Sequence, residues 1–98
     1  MPVAKKFQIG AHEITVDNCS PYEHGFLDWG ARLYGVNKII LRSDMCQSKK
    51  ESTLLHEVIE EIIAQHSIDV PQVTVDIIAE GLYQFLKMNK LLKPIKGI

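Results

Sequence analysis

The chain has 98 residues, of which 46% are apolar and 23% are charged. This size and composition predict one compact domain with a single core. Eleven basic residues stand against twelve acidic ones, and no stretch is basic enough to follow a phosphate backbone, so we expect no nucleic-acid partner. No run approaches the roughly 18 apolar residues of a membrane span. The two cysteines, Cys19 and Cys46, are far apart and indicate a reducing compartment. We therefore expect a cytoplasmic protein without a membrane partner.

The sequence pattern of residues 1–47 predicts short strands and loops. A hairpin is indicated by two pairs of alternating apolar residues around a Gly-Ala-His turn, namely Phe7, Ile9, Ile14 and Val16. Residues 17–30 predict irregular structure with aromatic side chains packed beneath it, namely Tyr22, Phe26 and Trp29. The apolar, β-prone residues 36–41 predict one further strand.

Residues 48–66 predict the first helix. Ser48 and Glu51 have the S-x-x-E form of a capping box, which indicates a helix start. An apolar stripe at intervals of three and four predicts the core-facing side, with Leu54, Leu55, Val58, Ile59, Ile62 and Ile63. The same periodicity predicts an outward face that carries Lys50, Glu61 and Gln65.

Residues 71–89 predict a second helix. Pro71 disfavours helical geometry in the residue before it and suits the first turn of a new helix. Gly81 interrupts the apolar pattern of this helix, which predicts a close approach of the two helices at that point. The last residues, 90–98, contain Pro94 and Gly97 and predict an extended or frayed tail.

The run TLLHEVIEEI, residues 53–62, contains candidate metal ligands and a candidate general base. Because residues four apart lie on one face of a helix about one turn apart, His56 and Glu60 can reach a common ion. Glu57 is offset by one position, which suits the glutamate that activates a water in the H-E-x-x-H helix of zinc peptidases. The pattern predicts a metal site on a flank that borders a cleft, together with Thr53.

The same residues also fit an ordinary solvated helix face with a hydrogen-bonded histidine. Glu80 favours the metal site, because it lies in the apolar stretch IIAEGLYQFL, where a carboxylate is costly unless it is paired or bound to a cation. We therefore expect His56, Glu60 and Glu80 to converge on one divalent ion.

These motifs resemble those of two known groups of proteins. H-E-x-x-E followed twenty residues later by Glu80 resembles the gluzincin layout, H-E-x-x-H with a later glutamate. Over roughly residues 33–89, the runs TLLHE (53–57) and EGLYQFLKMN (80–89) make the chain similar to small phage and prophage proteins related to the ImmA/IrrE-like metallopeptidases. The N-terminal third matches less specifically.

The resemblance implies an α+β, minimal zincin-like fold. A small curved N-terminal sheet would pack on the active-site helix, and a second C-terminal helix would supply the third ligand, all within a single domain of residues 1–98. His56, Glu60 and Glu80 would take the ligand positions, and Glu57 the general-base position.

The chain departs from the family pattern at Glu60, where the family has a second histidine. The extra negative charge would make a bound water less acidic and would favour harder ions. Zinc is therefore the first expectation for the divalent metal, manganese or another ion is the alternative, and an apo site stays open.

The favoured function is metal-dependent hydrolysis of a peptide bond, in which Glu57 takes a proton from a metal-bound water. The partner would then be a protein or peptide substrate, and the resemblance implies a phage-encoded enzyme. The alternative is a catalytically degenerate zincin-fold protein that acts as an interaction module on a host protein. A third hypothesis is a component whose helices form a homodimer and whose carboxylates are merely solvated.

Other titratable residues have weaker cases. His66 lies about 15 Å along the helix from His56, which favours a role in capping the helix C-terminus. Asp76 precedes Glu80 by one turn and fits either a ligand-supporting or a solvated residue. For Tyr83, we favour a packing role over polarisation of a substrate carbonyl. No ligand pattern surrounds His12, His24 or Cys46.

Overall fold

The structure, a computed structural model, describes residues 5–19, 29–33, 37–96 and 98. These residues form a four-stranded sheet and two helices, which confirms the α+β class. The elements in chain order are β1 (Lys5–Ile9), β2 (His12–Cys19), β3 (Gly30–Leu33), β4 (Lys38–Arg42), α1 (Gln47–Gln65) and α2 (Gln72–Met88).

The hairpin expected near the N-terminus is confirmed. β1 pairs antiparallel with β2, with Phe7 opposite Ile14. The two-residue turn begins at Gly10, whose φ of 61° lies in the left-handed region that glycine adopts without steric cost. The alternation of apolar and polar residues therefore continues through the turn with one face of both strands directed at the core.

The sheet is mixed and has the order β1-β2-β4-β3. β4 pairs parallel with β2, and β3 pairs antiparallel with β4 at one edge of the sheet. The prediction of irregular structure over residues 17–30 is wrong at both ends, because β2 continues to Cys19 and β3 begins at Gly30. Tyr22 and Phe26 lie outside the described residues. Trp29 is 47% exposed and therefore does not pack beneath the chain.

The core lies between the sheet and α1. Alternate residues of β2 and β4 are almost fully buried there, and this burial is the main stabilisation that the fold offers. The buried cluster consists of Ile9, Ile14, Val16, Ile39, Leu41, Met45, Leu54 and Ile98. Ile98 belongs to it, so the end of the tail packs on the core and is not frayed.

The boundaries predicted for α1 agree with the structure to within one residue, but the predicted cap does not. The helix begins after Cys46, and no side chain caps its first turn. Glu51, the expected capping partner of Ser48, is 1% exposed and accepts hydrogen bonds from α1, α2 and the tail. A buried carboxylate satisfied by distant donors has no need of a local capping contact.

The assignment of α1's faces is only partly correct. Leu54 is buried as expected, but Ile62 is exposed, and Glu61, expected to face outward, is 3% exposed. Gln65, also expected to face outward, is half-buried. Its amide donates to Glu61 Oε1 at 3.0 Å and to the Ile9 carbonyl at 2.9 Å, so this end of α1 holds the β1–β2 turn. A helix between two layers has two buried sides, and periodicity does not say which polar residues they include.

α2 contacts mainly α1, and it buries one face there with Val75, Ala79 and Tyr83. Gly81 is not at this contact. A Cβ added to Gly81 would meet no atom within 4 Å, so the prediction that this glycine permits a close approach of the two helices is wrong.

Candidate metal centre

A cleft of about 740 Å³ opens between α1, α2 and the start of β3. Four carboxylates line it, against one lysine, so its field favours a cation. Thr53, His56, Glu57 and Glu60 lie along it, which confirms that this flank of α1 borders a cleft. The lining residues are Trp29, Gly30, Ala31, Lys49, Ser52, Thr53, His56, Glu57, Glu60, Gln72, Asp76, Ala79 and Glu80.

Three of the predicted site residues come together at the centre of this cleft. His56, Glu57 and Glu60 each offer one ligand atom, and these atoms lie within 4.8 Å of one another. His56 Nε2 lies 3.2 Å from Glu60 Oε1, across one turn of α1. The helical spacing in the sequence thus predicts this juxtaposition correctly.

The second ring nitrogen of His56 faces α2. Nδ1 lies 3.3 Å from Asp76 Oδ1, and in the tautomer that carries its proton on Nδ1 the ring donates to this carboxylate while Nε2 is an acceptor beside Glu60. The Gln72 amide nitrogen lies 3.0 Å from His56 Nε2 and 3.1 Å from Asp76 Oδ1. α2 therefore orients the ring that α1 presents.

Glu80 lies on the cleft wall one turn beyond Asp76, but it is not in the group formed by His56, Glu57 and Glu60. Its carboxylate is exposed and accepts a hydrogen bond from Gln84 at 3.3 Å. The argument that an apolar stretch buries Glu80 is therefore wrong. Its role as third ligand stays a prediction.

Glu57 lies against the edge strand β3. It is buried, and one of its carboxylate oxygens would lie 3.5 Å from a Cβ on Gly30. The same Cβ would lie 2.7 Å from Thr53 Cγ2, a distance that real side chains do not tolerate. Because Gly30 has no side chain, β3 can approach α1 closely at this position. The β3 backbone and Glu57, the candidate general base, therefore lie side by side in one wall of the cleft.

Trp29 lines the cleft and lies just before β3. Its ring stacks on the Arg42 guanidinium at 4.4 Å and lies 5.6 Å from Lys49 Nζ, both distances being measured to the ring centroid. Arg42 is held in turn by Asp44, with 2.7 Å between Nη2 and Oδ2. The cation–π contacts orient a large aromatic surface in the lining of the cleft.

The remaining candidates lie outside the cleft. Tyr83 is buried and donates its hydroxyl to Glu51 at 3.1 Å, which confirms a packing role. Burial, with the hydrogen bond to Glu51 and the charge of that carboxylate, raises the pKa of Tyr83 to about 12. His66 terminates α1, with Nδ1 2.9 Å from the Ile62 carbonyl, as its capping role predicts. His24 lies outside the described residues.

Sequence reasoning missed Gln72 and undervalued Asp76. The two lie four positions apart, so they share a face of α2, and this spacing was a usable signal. Trp29 and Gly30 gave no comparable signal. Their place in the cleft depends on the pairing of β3 with β4.

The donor set fits a divalent ion. Two ligands of a tetrahedral ion with bonds of about 2.1 Å lie roughly 3.4 Å apart, and the 3.2 Å between His56 Nε2 and Glu60 Oε1 is close to this. An imidazole with carboxylates suits zinc, and the oxygen-rich remainder also suits manganese. The Asp76 carboxylate on the far ring nitrogen is the usual support of a ligating histidine.

The comparisons with known proteins add no relative. No protein-family model matches the chain, and neither the curated proteins nor the solved structures contain a match. Among the described residues, neither helix has the length and apolar character needed to cross a bilayer.

Proposed function

We propose that this protein is a metal-dependent peptidase whose centre is His56, Glu57 and Glu60. The observation that carries the proposal is the convergence of these three side chains in a cleft that also includes an edge strand. If Glu57 and Glu60 only formed a solvated helix face, there would be no reason for a histidine held in one orientation beside them or for a cleft around them.

His56 and Glu60 would hold the ion, and Asp76 would fix the imidazole so that Nε2 faces it. When bound, the ion supplies Lewis-acid chemistry: it polarises a carbonyl and lowers the pKa of a water. The family resemblance would add Glu80 as third ligand, and a change of its side-chain rotamer away from Gln84 would be needed for that.

Glu57 would accept the proton of the attacking water and return it to the leaving amide nitrogen. Its position supports this role, because it stands in the ligand group and also against Gly30.

β3 would hold the substrate. It is the outermost strand on its side of the sheet formed by the described residues, and Gly30 and Ala31 line the cleft. An extended peptide can add to such an edge through main-chain hydrogen bonds, which need little sequence specificity. A peptide laid along β3 would run past Glu57, while the partly exposed Trp29 ring offers a flat apolar contact beside the strand.

The test is Glu57→Gln, which keeps the side-chain volume and removes the proton acceptor. Cleavage of unfolded casein and of a peptide library, supplied with zinc, manganese or cobalt, should fall by about 10²–10⁴-fold. Metal bound per chain, measured by elemental analysis, should stay unchanged. Equal cleavage by wild type and Glu57→Gln would contradict the proposed role of Glu57.

Matched variants separate the ligands from their neighbours. Glu61→Gln alters an adjacent buried carboxylate outside the cleft and should leave cleavage and metal binding intact. Glu80→Gln tests the third ligand: weaker metal binding supports the gluzincin layout, and unchanged binding restricts the centre to α1. Glu60→His restores H-E-x-x-H and should strengthen zinc binding.

The second candidate is a catalytically degenerate interaction module that acts on a host protein. Its support is that both ring nitrogens of His56 have protein partners, Asp76 at Nδ1 and Gln72 at Nε2, as in a histidine that serves only structure. Absence of cleavage with every metal, together with a melting temperature that no metal changes, would favour this candidate over the peptidase.

A further inference from the structure

The side of α2 that faces away from α1 is apolar and exposed. Ile77 is 68% exposed, Phe85 56% and Met88 81%, although residues of this type are usually buried in a monomer. We call this surface the outer face of α2; it consists of Ile77, Ile78, Gly81, Leu82, Phe85 and Met88.

The outer face carries no charge. The charged side chains of α2 lie on its other sides: Asp76 and Glu80 line the cleft, and Lys87 reaches Glu51. A solvated helix surface normally carries such charges towards water. Their absence over several turns indicates a surface that another apolar surface covers.

The spacing along this face is that of a helix–helix seam. Thr74, Ile78, Gly81, Phe85 and Met88 follow one another at intervals of four, three, four and three, the heptad spacing at which two helices pack side by side. A strict seam of this kind is not needed for the contact with α1, which uses a different set of residues.

Gly81 is the middle residue of the seam, and the spacing is nearly the same on both sides of it: Thr74 and Met88 are each seven residues away, and Ile78 and Phe85 are three and four residues away. A two-fold axis through Gly81 would place Thr74 near Met88 of the partner subunit and Ile78 near Phe85 of the partner subunit. In each pair a small or medium side chain meets a long one. A Cβ on Gly81 would meet nothing within 4 Å, so this position is open for the close approach of another helix.

The exposed apolar area is large enough to form an interface. The exposed fractions on the outer face, together with Val73 and Leu91 near its ends, correspond to at most roughly 800 Å² of apolar surface per chain, and one partner buries about this area in a standard-size interface. The net charge of −1 gives two copies little mutual repulsion.

We propose that the outer face of α2 is the interface of a two-fold symmetric homodimer, in which two α2 helices pack antiparallel with Gly81 at their crossing. The cleft lies on a different side of α2, bordered by Asp76 and Glu80, so both clefts stay open in the dimer. The inference does not depend on the proposed peptidase function.

The mass of the whole chain in solution tests the proposal. Sedimentation equilibrium at micromolar concentration should give twice the chain mass of 11.1 kDa. Phe85→Asp should weaken the dimer by roughly 100-fold, because it places two charges in an apolar interface. The control is Ile68→Asp, at a residue between the helices that is equally exposed, 57% against 56%, but outside the seam. It should leave the dimer intact.

Two further measurements separate loss of the dimer from loss of the fold and determine the direction of packing. Circular dichroism should show the same helix content in all variants, since each replaced side chain is exposed. In a Cys46→Ser background, the double variant Thr74→Cys/Met88→Cys should form intermolecular disulfides on mild oxidation that link residue 74 to residue 88. A link from 74 to 74 would establish parallel packing and overturn the antiparallel arrangement.

Several outcomes would overturn the dimer itself. A monomeric mass at 100 µM chain concentration is one, and a dimer that survives Phe85→Asp is another. Binding of the wild type, but not of Phe85→Asp, to vesicles of phosphatidylcholine and phosphatidylglycerol, with a monomeric mass in their absence, would assign the outer face to a lipid surface instead.

Discussion

Two groups of polar side chains lie along α1, and they differ in how fully they are satisfied. Near the start of the helix, the Glu51 carboxylate is 1% exposed and accepts from Tyr83, Lys87, Gln47 and the Ile95 backbone amide. Further along the helix, His56 and Glu60 keep about a quarter of their side-chain surface exposed, and His56 Nε2 lies 3.2 Å from Glu60 Oε1.

The difference distinguishes a structural carboxylate from a candidate ligand. Burial alone would raise the pKa of Glu51, but the Ile95 amide, Gln47, Tyr83 and the charge of Lys87 outweigh it and hold that pKa below its ordinary value. With four donors in place, Glu51 has no lone pair left for an ion. His56 and Glu60 are instead partly exposed and direct two potential ligand atoms at one point. The Gln72 amide, 3.0 Å from His56 Nε2, is the protein group that an ion would displace there.

The largest difference in stability between the two groups should appear when the Glu51 carboxylate is removed. Glu51→Ala leaves the Tyr83 hydroxyl and the Ile95 amide without an acceptor, so the free energy of unfolding should fall by about 2–5 kcal/mol. Glu60→Ala, on the same helix, should change it by less than about 1 kcal/mol. Urea denaturation measures both. Equal losses from the two variants would mean that the cleft, too, is a structural network.

The next largest effect should come from Asp76, the carboxylate that supports the His56 ring, and it concerns metal affinity. Asp76→Asn replaces the acceptor at Nδ1 with an amide and weakens the hold on the ring, so metal affinity should fall by about 10–100-fold. Isothermal titration with zinc measures this, with Asp44→Asn as the control on a carboxylate outside the cleft. An unchanged affinity would remove Asp76 from the centre.

The smallest expected effect concerns Tyr83 and high pH. A group whose pKa is raised by folding stabilises the fold below its unfolded pKa and loses that contribution as the pH rises through the folded value. The wild type should therefore lose stability between about pH 10 and pH 12 in excess of any loss by Tyr83→Phe. At neutral pH, Tyr83→Phe should cost about 1 kcal/mol, since Glu51 keeps three other donors. Tyrosinate absorbance follows the titration, and a variant curve identical to the wild type would refute the assignment.

Local patterns in the sequence predicted the local parts of the structure. The hairpin around Gly10, the strand predicted over residues 36–41 and observed as β4 (Lys38–Arg42), and the two helices followed from periodicity and turn residues, and each of these depends on neighbours in the chain. The meeting of His56, Glu57 and Glu60 is local in the same sense, because one turn of helix connects them. By contrast, the expected cap at Ser48 was wrong, although it too is a local feature, because Glu51 has distant partners.

What the sequence by itself determined is therefore the hairpin, β4, the two helices and the residues that share a face within each of them; it did not predict β3. The tertiary structure alone decided what each face meets: Asp76 and Gln72 come to His56 from α2, and Gly30 brings β3 to Glu57. It also placed Gly81 on the outside of α2 and Glu61 on the inside of α1. The physical reason is that the periodicity of a helix or strand fixes only how its side chains are directed relative to one another. The packing of the sheet and the helices decides how each element is rotated, and therefore which of its sides are buried.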